Sequence, residues 1–391
     1  MLNRINVVAF IFLTAGLWNT NTFGIEVGPL EIGGAMRVNY IRGDYTETGG
    51  DEAQRGDNGG NFELDTFRIN LDYNQGPFTG KAEYRWYDGY NFLHTGWLGY
   101  NFEEAGQVQV GLNRVPFGVG PYGPANNWFF DLHYYVGLSD DMDYGIKYSV
   151  KRGDLALDFA YYLRAEHSFV GDSKESARYS YDIVDNGSDY SAYKEKNQLN
   201  ARCVYSILED SAPTDIGVSL QVGQLDADNA RAKDSMAYAG AIHSKSSFGA
   251  WGLMLQCSKY KYDADYKDPA LTDDLIVMGA YDYPAAVATE GTIPSVALSY
   301  NWKVDKPWAD SITFYNDFSV LIKDGETASG ESFNDSAMNV LGMAIANGGW
   351  YIYVDYAYAS GNFFIGDEGD FGANLDDDWQ SRFNVNFGYY F

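Results

Sequence analysis

The sequence predicts an all-β fold, a transmembrane antiparallel β-barrel of 16 strands with short periplasmic turns and long extracellular loops. Three observations carry that reading. Segment after segment alternates in twos between apolar residues and polar or small ones, the connections sort into short and long by turns, and aromatic residues, 17% of the 391, gather beside the short connections. In lipid only helices and closed barrels satisfy every backbone polar group. No stretch, the first residues included, reaches the roughly 20 apolar residues that a spanning helix needs, whereas a spanning strand needs only about 9–11.

Taken in order, residues 1–24 have the form of a removable export segment, with Arg4, an apolar run from Val7 to Leu17, and Thr22-Phe23-Gly24 as the cleavage site. A buried first helix is the competing reading. Residues 25–391 then form one barrel domain. Strand one, "LEIGGAMRVNY", places Leu30, Ile32, Met36, Val38 and Tyr40 on one face and Glu31, Arg37 and Asn39 on the other. The next pair, "TFRINLDY" and "FTGKAEYRW", turns at Asn74-Gln75-Gly76-Pro77. Phe67, Ile69, Leu71, Tyr73, Ala82, Tyr84 and Trp86 share its apolar face, and Arg68, Asn70, Asp72, Lys81, Glu83 and Arg85 its polar one.

The alternation recurs at 96–102, 107–115, 143–150, 155–164, 198–207, 216–223, 236–243, 248–260, 293–303, 311–322, 337–346, 350–359 and 380–391. Short links such as "NQGP", "KRGD" and "ANGG" fall at one end. Long ones, including 43–60, 116–141, 165–196 and 261–292, fall at the other, where a single short link near 88–95 joins them. A sandwich has no reason to sort its connections by length, but an outer-membrane barrel does. Tyr73, Phe78, Phe102, Trp308 and Trp350 flank the short turns, as an interfacial girdle requires. The apolar face therefore points to lipid, and the polar face lines a lumen wide enough at this strand number to hold water.

Acidic residues outnumber basic ones 54 to 27, which disfavours nucleic acid as a partner and favours cations or neutral solutes. Cys203 and Cys257 lie three strands apart, too far for a disulfide, and no metal or cofactor motif is present. The four histidines, His94, His133, His167 and His243, belong to no nucleophile motif, so no catalytic site is expected.

Four stretches, "VQVGLNRVPFGVG" (108–120), "GLSDDMDYGIKYSV" (137–150), "TFYNDFSV" (313–320) and "DDWQSRFNVNFGYYF" (377–391), resemble Gram-negative porins of the 16-stranded type. The resemblance is closest to the group containing the phosphate-selective O/P-type porins. It implies a homotrimer in outer-membrane lipid, passive diffusion of small hydrophilic solutes or ions, and a third external loop, here 116–141, folded inward as a constriction. Phosphate selectivity in that group goes with an arginine ladder and a lysine-rich loop. The nearest stretch here, "QLDADNARAKDS", interleaves Arg231 and Lys233 with Asp226, Asp228 and Asp234. A substrate-selective porin for anions, phosphate or sugar, and a closed barrel used for structure or adhesion, stand as alternatives.

The candidate site follows from strand adjacency. Arg37, Arg68, Lys81 and Arg85 lie on the polar faces of neighbouring strands. Facing Asp131, Asp140, Asp141 and Asp143 from the inward loop, they would set up a transverse field across the pore. The plainer reading is that they are lumen charges paired with Asp72 and Glu83. The dense acids of the outer loops (Asp44, Glu47, Asp51, Glu52, Asp57, Asp367, Glu368, Asp370, Asp376, Asp377, Asp378) read as a solvated rim without a defined calcium loop. Phe387, Tyr389 and Phe391 on the last strand are expected to close the barrel against strand one, and they resemble the C-terminal signal read by the barrel-assembly machinery.

Overall fold

The computed structural model describes residues 24–43, 61–208, 211–366, 372–375 and 378–391. Residues 1–23 of the expected export segment and all the outer-loop acids named above except Asp378 lie outside the described residues. Sixteen strands form the wall: β1 (Leu30–Gly43), β2 (Asn61–Gln75), β3 (Phe78–Trp86), β4 (Asn91–Asn101), β5 (Gln107–Arg114), β6 (Met142–Arg152), β7 (Leu155–Ala165), β8 (Tyr193–Ile207), β9 (Thr214–Ala227), β10 (Ser235–Phe248), β11 (Trp251–Tyr262), β12 (Glu290–Lys306), β13 (Ala309–Asp324), β14 (Ser336–Asn347), β15 (Trp350–Ser360) and β16 (Trp379–Tyr390). Each pairs antiparallel with its sequence neighbours, and β16 pairs with β1, so the sheet closes and no strand edge is left bare in lipid. Ile25–Val27 folds back onto Leu30–Ile32.

Closure is tight at its end. Met36, Val38 and Tyr40 lie opposite Tyr389, Phe387 and Val385. Beyond them the Gly34 amide donates to the Phe391 carbonyl at 2.7 Å, and the Phe391 amide donates to the Gly34 carbonyl at 3.0 Å. Position 34 requires glycine: a Cβ there would sit 2.4 Å from the Arg68 carbonyl and 2.7 Å from the Phe391 ring.

The exterior inverts ordinary core logic. Val110, Ile146, Leu220, Ile242 and Leu341 are exposed in mid-strand. Phe78, Phe102, Trp251, Trp308 and Trp350 are exposed at the short-turn end, and Phe62, Trp86, Tyr238, Tyr358 and Trp379 at the long-loop end. An aliphatic band between two aromatic girdles is the outer surface of a barrel embedded in lipid.

The interior holds more than the sequence reading placed there. Asp182–Ile183, Leu275–Ala280 and Tyr283–Ala288 form a separate three-stranded sheet from segments expected to be plain external loops. Ile276, Met278 and Val287 bury their side chains in the same core as Tyr134, Tyr162 and Tyr262. The sheet forms because "LIVMGA" and "YPAAVA" are apolar enough to pair and pack once turned back at Tyr281-Asp282. Part of the lumen is therefore filled by packed loops.

Candidate pore and its charged wall

A β-bulge sets the first charge pair. Arg37 lies opposite Thr66 and Val38 opposite Leu64, so Asp65 is an extra residue in β2 and is turned inward. Its carboxylate meets Arg37 Nε at 2.8 Å and accepts from Asn386 Nδ2 at 2.9 Å. One strand further on, the register sets Arg68 directly opposite Arg85, an unfavourable like-charge pairing. Glu83 resolves it, with Oε1 2.6 Å from Arg85 and 3.3 Å from Arg68. Lys81, opposite Asp72, pairs with it at 3.1 Å. The Arg85 guanidinium also lies 4.5 Å from the centre of the Tyr179 ring, and that of Arg68 5.4 Å from Tyr390.

The segment between β5 and β6 is tied to the inner face of the opposite wall. Gly118 N donates to Ser219 Oγ on β9 at 3.0 Å, and Val119 N to Gln256 Oε1 on β11 at 2.8 Å. Asp317 on β13 accepts from the backbone and side-chain amides of both Asn126 and Asn127, at 2.6–3.1 Å. Trp128 N donates to Asp355 on β15, and Arg202 donates to the Gly118 carbonyl at 2.8 Å.

Between that segment and the β1–β3 wall runs a cavity of about 2670 Å³. Pro213 and Gly249 line it at the short-turn end, and Asp172, Asp282 and Gly366 at the long-loop end. Arg37, Arg68, Lys81 and Arg85 all line it. Among the described residues, seven acidic and seven basic side chains do so. The acidic excess of the chain therefore does not lie along this path.

The four loop aspartates sit elsewhere than the sequence placed them. None of Asp131, Asp140, Asp141 and Asp143 lines the cavity opposite the arginines, and each is buried on other partners. Asp131 accepts from Ser295 on β12 at 3.2 Å and contacts His133. Asp140 lies 2.7 Å from Arg114 and accepts from the Tyr179 hydroxyl at 2.5 Å. Asp141 and Asp143 cluster with Asp182. The reason is local supply: Ser295 on β12, Arg114 on β5 and Tyr179 in the β7–β8 connection meet these carboxylates, while the arginines of the β1–β3 wall already hold Asp65 and Glu83.

Among the residues that sequence reasoning missed, Asp317 and Asp355 left a signal. Each is a lone carboxylate at a lumen-facing position in mid-strand, which calls for a partner from elsewhere. Arg114, Tyr179 and Asp182 left none. Burial and the neighbouring carboxylates push the Asp141 and Glu166 carboxyls upward, and burial raises that of Asp182, with Arg178 pulling the last two back. The contact of Ser295, His133 and Asp131 is not a catalytic triad, because both partners approach the same ring nitrogen and the imidazole is fully buried.

No family model and no curated protein matches the chain. Its architecture is that of solved outer-membrane barrels. It is similar to in-vitro folded OmpT, an outer membrane protein of Vibrio cholerae, at 14% identity over 94% of this chain and 100% of that one, TM-score 0.57. It is similar to the outer membrane channel DcaP of Acinetobacter baumannii at 11% identity over 94% and 99%, TM-score 0.56. It is also similar to an anion-selective porin from Comamonas acidovorans at 12% identity over 93% and 99%, TM-score 0.54. At such identities the likeness is one of fold.

Proposed function

We propose that the chain is an outer-membrane porin, a water-filled channel for passive diffusion of small hydrophilic solutes and ions, in which residues 116–141 form the constriction and Arg37, Arg68 and Arg85 its basic wall. The observation that carries this reading is the cavity lined from the short-turn end to the long-loop end of a barrel whose exterior is apolar. The balanced lining supports neutral or dipolar solutes over the cation preference that bulk charge suggested. Phosphate selectivity finds no support, because Arg231 pairs with Asp185 and Asp228, and Lys233 pairs with Asp265. A homotrimer agrees with one neighbour, OmpT, which was solved in a trimer form. Phe387, Tyr389 and Phe391 serve closure and recognition by the assembly machinery, in keeping with the β16–β1 pairing and the Phe391–Gly34 bonds.

Planar bilayers test the reading. Purified protein should insert with conductance steps of equal size, and its reversal potential in a salt gradient should lie near zero. Silent insertion would return the closed-barrel alternative, and a strongly cationic reversal potential would show that charges outside the cavity lining control permeation.

A further inference from the structure

Away from the cavity, the fold gathers five carboxylates: Asp141 at the end of the β5–β6 segment, Asp143 on β6, Glu166 and Asp182 in the β7–β8 connection, and Glu195 on β8. Asp141, Asp143, Glu166 and Asp182 are each at most 4% exposed. Among the described residues, Arg178 is the one buried cation paired into the group, 2.8 Å from Asp182 Oδ2. Buried charges of one sign at this density are not stable without a compensating partner.

Donors reach only part of the group. Gln198 Nε2 donates to Asp143 Oδ2 at 3.2 Å. The backbone amides of Tyr179 and Ser180 donate to Glu166 Oε1, and that of Ile183 to Glu195 Oε1. Asp141 Oδ1, Asp143 Oδ1 and Glu166 Oε2 are buried and accept no hydrogen bond. Orphaned buried carboxylate oxygens are rare and call for a ligand. Ligand oxygens of Asp141, Asp143 and Asp182 all lie within 4.8 Å of one another. Oxygens around one hard divalent cation are at most about 5 Å apart for Ca²⁺ and about 4 Å for Mg²⁺, so three carboxylates gathered this closely can share one ion.

We propose that Asp141, Asp143 and Asp182 bind one hard, oxygen-preferring divalent cation, for which Ca²⁺ is the probe, with Glu166 and Glu195 adding charge around it. The ion fastens the end of the β5–β6 segment to β6 and to the β7–β8 connection. It acts as a structural clamp beside the pore, so the site does not depend on the porin reading. The competing arrangement is a set of carboxyls held together by shared protons.

The test uses the full chain, folded in detergent, freed of lipopolysaccharide and stripped with chelator. After dialysis against Ca²⁺, metal analysis should find one more ion per unmodified chain than per Asp143→Asn chain, and the variant should bind more weakly by more than about tenfold. Ca²⁺ should raise the melting temperature of the unmodified protein and not that of the variant. In chelator the variant should melt at or above its parent, because a buried like charge is gone. Equal ion counts in both proteins, meaning ions held only by the acidic outer loops, would overturn the proposal, as would a parent melting temperature indifferent to Ca²⁺. If Asp143→Asn does not fold, the ion count and calcium-dependent melting of the unmodified chain decide alone.

Discussion

Two charged regions of this barrel solve opposite problems. On the β1–β3 wall, Arg37, Arg68, Lys81 and Arg85 line the cavity, yet each has a carboxylate within 3.3 Å. Around Asp182, five carboxylates share one guanidinium and are shut away from the cavity. The first region is neutralised residue by residue along the strand register. The second is assembled from three separate stretches and is left with a surplus of like charge. On the β1–β3 wall, charge that faces the cavity is paired locally, while the surplus around Asp182 is kept off the cavity lining, where it acts on loop position.

The strongest way to break this contrast is to remove the carboxylate that reconciles Arg68 with Arg85. Glu83→Gln leaves two guanidiniums directly opposed and mostly buried, and should lower stability on the order of 3 kcal/mol. Thermal unfolding in detergent measures the loss. The same substitution should move the bilayer reversal potential in the anionic direction. If stability holds, the rings of Tyr179 and Tyr390 support the arginines instead, and the pairing is incidental.

A smaller effect is expected from Asp317→Ala. It removes the acceptor for four hydrogen bonds from Asn126 and Asn127 and should weaken the attachment of that loop on the order of 2 kcal/mol. Single-channel conductance should rise and become noisier as the segment withdraws from the lumen. Unchanged conductance would mean that the bonds from Gly118 and Val119 hold the loop without Asp317.

The sequence shows the wall far better than it shows what the wall encloses. Strand parity repeats every two residues, so facing, order and closure are local properties, and the meander alone brings Arg37, Arg68 and Arg85 together. Parity fails where a bulge intervenes: the second strand reads as starting at 66 because Asp65 breaks the alternation, and that break is what turns Asp65 toward Arg37. The inner hairpin 275–288 escapes notice because its turn uses Tyr281 and Asp282 at φ 50° and 62°, without the glycine or asparagine that usually signals one. The partners of Asp131 and Asp141 are set by contacts such as Ser295 and Asp182, far away in sequence or on another loop, where no spacing rule reaches.

The smallest expected effect tests whether local pairing governs what a solute feels. Lys81 and Asp72 are the most exposed pair on the wall, at 36% and 38% of the side chain. Such a pair contributes at most about 1 kcal/mol to stability, so Lys81→Ala should leave unfolding almost unmoved. It frees one carboxylate into the cavity lining, however, and that charge acts over about 10 Å at 0.1 M salt and about 3 Å at 1 M. The variant should therefore shift the reversal potential toward cations in dilute salt and match its parent in concentrated salt. A shift that survives 1 M salt would place Asp72 at a constriction narrower than the screening length, and would make this edge of the wall, not the arginines, the point at which ions are sorted.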